Sequence, residues 1–329
     1  MSYCIKRYFN IVSITLLTAI TSLVLISCRP AEPNFFPQDN FLEADSVYYS
    51  DLIIFIGGAD SAKSVIVCDF GREKAGENYT GEFWGCIYRD GNWEKLSRSG
   101  EYRLLSSRPS IPEGPPGVSV KTHNGKFQIE YSDENYNFSL KTDAISNIYK
   151  SFDSDNTKEY YGDANAEIII GDTKIKGTIF YAYFRWVNYQ PITTKYKKRY
   201  TDFRRFFLIG DNIFIVAKEN KADISEFAAK YDLPDPPETI CASIKRGNYN
   251  KTFDNFKSIT TNWSYDLAFF RIPFGWEVEF DDNNSLSLSG DNYYLDNKLF
   301  TGRGIVNVSG TLKSEGKSYP INGVCEFIK

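Results

Sequence analysis

From residue 50 onward, short runs rich in Tyr, Phe, Ile and Val are interrupted by turn signals, with a strand and its turn taking roughly 8–15 residues. Asp90-Gly91, Asn124-Gly125, Gly171-Asp172 and Gly210-Asp211 each stand between two such runs, where a tight hairpin needs residues that tolerate positive φ. No regular alternation of strand and helix accompanies them. That excludes a parallel βαβ sheet and leaves antiparallel meanders closed into barrels or sandwiches. The 23 Tyr and 25 Phe fit a pleated, half-buried surface. One short helix is predicted over 223–231. Ile224, Phe227, Ala228 and Tyr231 fall at helical spacing there, Asp223 with Glu226 forms a capping-box pattern, and Pro234, Pro236 and Pro237 end it. A chain of 329 residues exceeds one small core and suits two domains.

The first 27 residues read as an export signal. Lys6 and Arg7 precede an apolar stretch over 11–26, which is short for a membrane span. Its end, Leu25-Ile26-Ser27-Cys28, resembles the bacterial lipobox, which implies acylation of Cys28 and a stable membrane anchor through more than one acyl chain. Arg29 stands where an Asp would signal retention at the inner membrane, so the expected place is the bacterial cell envelope, anchored in the outer membrane. Residues 28–44 carry the Pro-rich stretch RPAEPNFFPQDN and read as a tether. Loss of residues 1–27 removes two cations and no acid, moving the net charge from −4 to −6, which argues against a nucleic-acid partner. Residues 45–142 read as an N-terminal β domain. Residues 143–164 lose alternation and gain charge, so they read as a linker, and 165–329 as a C-terminal β domain.

Much chemistry is missing. The single histidine, His123, adjoins a turn and reads as an exposed turn residue. No G-x-S-x-G, no H-E-x-x-H and no glycine-rich loop opening a helix occurs, so neither a nucleophilic triad nor a phosphate cradle nor a cofactor is expected. Cys68, Cys86, Cys241 and Cys325 make no CxxC, so no metal site is expected. Cys68 and Cys86 sit on hairpin partners about a turn near Glu77 and could be a disulfide or two buried thiols. Asp153-Ser154-Asp155 lacks the Gly and distal Glu of a calcium loop. The run KYKKRY over 195–200 reads as a solvated loop or a contact with lipid phosphates.

The stretch 178–187 is aromatic on both faces. One carries Tyr181, Tyr183 and Arg185, the other Phe180, Ala182, Phe184 and Trp186. A strand with one wet face would show a polar set, so one side is expected to pack against the neighbouring domain and the other to line an interior. Trp263 and Arg271 repeat the theme later. Two readings stay open: a plain aromatic core, or a small-molecule pocket with few polar handles.

The second half resembles the AttH-like double-lipocalin family, which includes carotenoid hydratases and decalin-forming cyclases. The resemblance rests on 166–170 with Gly171-Asp172, Ile175 and Lys176-Gly177, on 206–209 with Gly210-Asp211-Asn212, and on the ending Leu299-Phe300-Thr301-Gly302, Val306, Val308, Gly310, Gly323 and Glu326. It covers about residues 160–329 and implies two lipocalin-like antiparallel barrels side by side, an all-β fold with a pocket at or between them. The family's Asp-His pair is absent, since the region reads Tyr181-Ala182-Tyr183-Phe184-Arg185-Trp186, and its Glu before the closing Gly is Thr301. The expected function is therefore binding of a hydrophobic small molecule or lipid, with Tyr181, Tyr183, Arg185, Trp263, Trp276 and Glu326 as ligand contacts and no catalytic residue assigned. Two alternatives remain. A hydratase, isomerase or cyclase would need a carboxylate near the aromatic wall, with Glu326, Glu277 and Asp266 as candidates. A glycan-binding or assembly lipoprotein would show Trp84, Trp93 and Trp276 on one exposed platform.

Overall fold

The computed structural model describes residues 46–58, 63–104, 114–153, 157–187, 200–222, 239–265, 271–298 and 301–328. Every regular element among them is a strand. The first group is β1 (Ser46–Gly57), β2 (Ser64–Ala75), β3 (Asn78–Arg89), β4 (Asn92–Lys95), β5 (Gly100–Arg103), β6 (Val118–His123), β7 (Lys126–Ser132), β8 (Asn137–Thr142), β9 (Ser146–Asp153), β10 (Thr157–Ile170) and β11 (Thr173–Val187). The second is β12 (Tyr200–Gly210), β13 (Ile213–Ala222), β14 (Thr239–Arg246), β15 (Tyr249–Phe253), β16 (Lys257–Tyr265), β17 (Arg271–Asp281), β18 (Asn284–Lys298), β19 (Thr301–Ser314) and β20 (Lys317–Ile328). They form two antiparallel sheets, ordered β4-β3-β2-β1-β11-β10-β8-β7-β6 and β15-β14-β13-β12-β20-β19-β18-β17-β16, with β5 on β3 and β9 on β10. The two paths are the same design. In each, the first strand lies between the second and the last.

The turn chemistry acts as expected. Asp90 and Gly91 take φ of 52° and 83°, and Asn124 and Gly125 take 50° and 73°, each pair closing a hairpin whose twist matches its strands. The turn near Glu77 joins Ala75 to Asn78. Its register differs from the one that would pair the cysteines. Cys68 lies opposite Gly85 and Cys86 opposite Val67, and because side chains alternate, this puts the two thiols on opposite faces. All four described cysteines are free and buried.

Each sheet curls over its own core. In the first, Phe83 of β3 meets Tyr131 of β7 with ring centroids 6.3 Å apart, and Phe127 of β7 meets Tyr181 of β11 at 5.0 Å, although these strands are not neighbours. In the second, Phe253 of β15 meets Phe280 of β17 at 5.1 Å. The other face of each sheet is apolar where the two sheets meet. Leu52, Ile54, Val67, Phe180 and Ala182 of the first form one core cluster with Phe207, Val216, Ile305 and Val324 of the second. This is the two-sided burial foreseen for 178–187: Phe180 and Ala182 face the partner sheet, while Tyr181 and Tyr183 face the first sheet's interior.

The 143–164 stretch is not a linker. It carries β9 and the first half of β10, and β10 with β11 completes the first sheet, so the passage to the second sheet follows Val187. Two of its acids, Glu159 and Asp163, are strand residues buried on the face turned to the second sheet. The helix expected over 223–231, the run over 195–199, Asp266, and residues 1–45 with Cys28 lie outside the described residues.

Gly323 marks a close approach of β20 to β12. A Cβ there would fall inside contact distance of the Phe207 carbonyl oxygen and the Leu208 Cα, both backbone atoms that cannot swing away. Gly323→Ala should therefore lower stability by about 1–3 kcal/mol, as overpacking does. Urea denaturation checks this, and an unchanged midpoint would contradict the close approach.

Candidate functional site

The face shared by the sheets is apolar at its centre and ionic at its margins. Glu326 of β20 is fully buried and lies between two guanidiniums, accepting from Arg205 Nε at 2.7 Å and Arg303 Nε at 2.7 Å. Arg303 also donates to Asp69 of β2 at 2.6 Å and lies 3.9 Å from the centroid of the Trp84 ring. Next to Arg205 across the β12–β13 pair, the Lys218 ammonium donates to both oxygens of Glu159 on β10 at 2.7 Å. Burial pushes the Glu159 carboxyl up, but Lys218 and neighbouring donors outweigh it and hold it below the usual carboxylate range. Tyr161 donates to the same carboxylate at 2.8 Å. These pairs tie the sheets together at two places related by the repeated strand order. An acid on β10 meets a base on β13, and a base on β19 meets an acid on β2.

Beyond Glu159 on β10 the seam opens into a crevice of about 60 Å³. Tyr149, Tyr161 and Phe180 line it from the first sheet, and Phe214, Val216 and Ser243 from the second. Its polar end is built on a bulge. The register of β9 against β10 shifts between Tyr161 and Asp163, and Asn147 takes a positive φ of 53°. Bulges of this kind re-aim a side chain, and here the Asn147 amide turns to the crevice. Its Nδ2 donates to the Asp163 oxygens at 2.9 and 2.8 Å, and its Oδ1 accepts from the Lys245 ammonium of β14. Burial raises the Asp163 carboxyl to about 6, against the opposing pull of Asn147 and Lys245. A half-apolar crevice thus ends in a carboxyl that changes protonation near neutral pH, beside a cation.

The six residues expected as ligand contacts do not meet in one place. Tyr181 and Tyr183 are buried in the interior of the first sheet, where Tyr181 donates to Asp51 at 2.5 Å and Asp51 pairs with Arg72. Arg185 is buried further along the same face of β11. Trp276 is fully buried in the core of the second sheet, edge-on to Phe206 at 5.6 Å. Trp263 is half-buried on the edge strand β16, with Arg271 4.3 Å from its ring centroid. Glu326 lies in the seam. Asn147 and Asp163 are hidden in the sequence because the charge of 143–164 resembles a solvated segment, and Lys245 because nothing local pairs its strand with them. The usable signal was the spacing of two along Glu159, Tyr161 and Asp163, which is that of a strand face.

Because the folded protein holds the Asp163 proton more tightly than the unfolded chain, this group favours folding at low pH. That stability is lost as pH rises from the ordinary 3.8 through about 6, a span worth about 3 kcal/mol at 1.36 kcal/mol per unit. Asp163→Asn should flatten this part of the stability profile, so that the variant gains on wild type between pH 4 and 7. Denaturation midpoints measured across that range check it, and parallel profiles would refute it.

No family model matches the sequence, and no curated protein matches it. Solved structures do. Kievitone hydratase from Nectria haematococca superposes with a TM-score of 0.57 at 13% identity, over 90% of this chain and 94% of that one. An AttH protein from Nitrosomonas europaea gives 0.61 at 9% identity, over 91% and 97%. CghA with Sch210972 gives 0.53 at 10% identity, over 85% and 88%. At such identities the likeness is one of architecture, and it spans both sheets: this chain has the double-lipocalin-like fold of the AttH-like proteins.

Proposed function

We propose that this is a lipid-anchored protein of the bacterial envelope that holds a hydrophobic small molecule or lipid in the crevice between its sheets. The crevice carries the reading. It draws aromatic and aliphatic walls from both halves and a polar end from Asn147, Asp163 and Lys245, and at about 60 Å³ it takes a small group as it stands and must widen around a larger ligand. Each 100 Å² of apolar ligand surface removed from water contributes about 2.5 kcal/mol, less the loss of ligand freedom, so the walls set affinity and the polar end sets orientation. The lipobox-like Leu25-Ile26-Ser27-Cys28 supports anchoring through Cys28, with 28–44 as tether.

Asp163 favours a second reading, an enzyme of the hydratase, isomerase or cyclase kind. A carboxyl with a pKa of about 6 at the polar end of a half-apolar crevice can carry a proton near neutral pH and deliver it to a bound substrate. The other acids suit this less. Glu326 is engaged by two arginines, and Glu277 is exposed. The exposed aromatic platform of an assembly protein is not formed, since Trp84 and Trp276 are 7% and 0% exposed.

The test is native mass spectrometry of the protein purified from its own membrane. The expected result is a retained small molecule that is lost from Ser243→Phe, a variant that fills the crevice. Equal retention by the variant would place the ligand elsewhere and end this reading. Detergent phase partition checks the anchor: wild type should enter the detergent phase and Cys28→Ala the aqueous phase, and co-partition of the two would rule out Cys28 as the anchor.

A further inference from the structure

The polar end of the crevice has an uneven distribution of charge. The Asp163 carboxylate is covered on the protein side, with both oxygens held by the Asn147 amide. Lys245 is half-buried at the lip and donates to the far side of the same amide. The amide therefore separates the two charges, and among the described residues no ion pair engages Lys245. The remaining cations nearby are committed: Lys218 to Glu159, and Lys251 to Asp281 at 2.5 Å. The other groups turned to the crevice are neutral at this end: Ser243 on β14, and Asn250 and Thr252 on β15.

We infer that the crevice selects short amphiphiles with an anionic oxygen head, a carboxylate above all, which pairs with the Lys245 ammonium while a small apolar tail enters between Phe214 and Val216. This rests on the crevice being the ligand site. A carboxylate suits a single ammonium flanked by neutral donors, because charge-assisted hydrogen bonds are the strong ones and one cation balances one negative charge. Asp163 then sets when the ligand is held. Ionised, it places a second negative charge in the same crevice and shares the field of Lys245. Protonated, it leaves that field to the ligand. The groups that could modify this are few on each packed element. Tyr149 on β9 and Tyr161 on β10 are both pushed above the ordinary phenol range by burial and stay neutral; Glu159 on β10 is neutralised by Lys218 on β13; and Cys241 on β14, raised to about 11 by burial, stays a thiol. β11 contributes Phe180, which carries no charge. Affinity for an anionic amphiphile should fall as pH rises through about 6.

Calorimetry with butyrate and the neutral analogue 1-butanol tests this at pH 5.5 and 7.5. Wild type should bind the anion about tenfold tighter than the alcohol at the lower pH, the scale of one charge-assisted hydrogen bond, and lose much of that preference at the higher. Lys245→Met should weaken the anion by about tenfold and leave the alcohol unchanged. Asp163→Asn should hold the anion equally at both pH values. Alcohol and anion binding alike to wild type would overturn anion selection while leaving the crevice as a ligand site. Failure of both probes would overturn both. A pH profile retained in Asp163→Asn would remove that residue from control.

Discussion

Where the two sheets meet, both faces of their strands are apolar, and that constraint shapes the whole molecule. A sheet with one wet face can stand alone by curling over a single core. Here β1, β2 and β11 carry Leu52, Ile54, Val67 and Phe180 on the outer side, and β12, β13, β19 and β20 carry Phe207, Val216, Ile305 and Val324. Neither half can leave that surface in water without exposing a patch of the size that drives association. The two halves are therefore one folding problem, and the seam between them is a core cut across the molecule.

Charges inside such a seam are costly to bury, and replacing buried ion pairs by apolar residues often stabilises a protein. Their value here is in position. Glu326 between Arg205 and Arg303, with Arg303 reaching Asp69, and Lys218 on Glu159 together allow one register of sheet on sheet. A purely greasy seam could slide by a residue. The crevice depends on that register, because its walls and polar end come from strands of both halves and a shift would separate Asp163 and Asn147 from Lys245.

The strand content was legible because hairpin turns are local. Asp90-Gly91 and Asn124-Gly125 announce themselves with no knowledge of the partner strand. The two-sided burial of 178–187 was legible too, since a strand with no polar set has no wet face. The boundary between halves was not. Residues 143–164 carry acids and lysines that resemble a solvated linker, and only the pairing of β10 with β11, β8 and β9 shows Glu159 and Asp163 among them to be buried. The site went unread for the same reason. A buried ion pair is a long-range fact, and Lys218 stands 59 residues from Glu159. Trp263, Trp276 and Tyr181 were grouped by chemistry, whereas sheet faces sort them into separate compartments.

The repeated strand order has a further consequence. Exchange of the halves carries β10 onto β19 and β13 onto β2, and with them the ion pair of Glu159 and Lys218 onto that of Arg303 and Asp69 with the signs reversed. Four residues beyond Glu159 stands Asp163; four beyond Arg303 stands Asn307, fully buried, with neither amide atom hydrogen-bonded. Tyr88, Trp93 and Tyr294 pack against the seam on that flank. At the place equivalent to the carboxyl end of the crevice, the described residues thus bury an idle amide, at an expense of about 1–3 kcal/mol for an unpaired buried polar group.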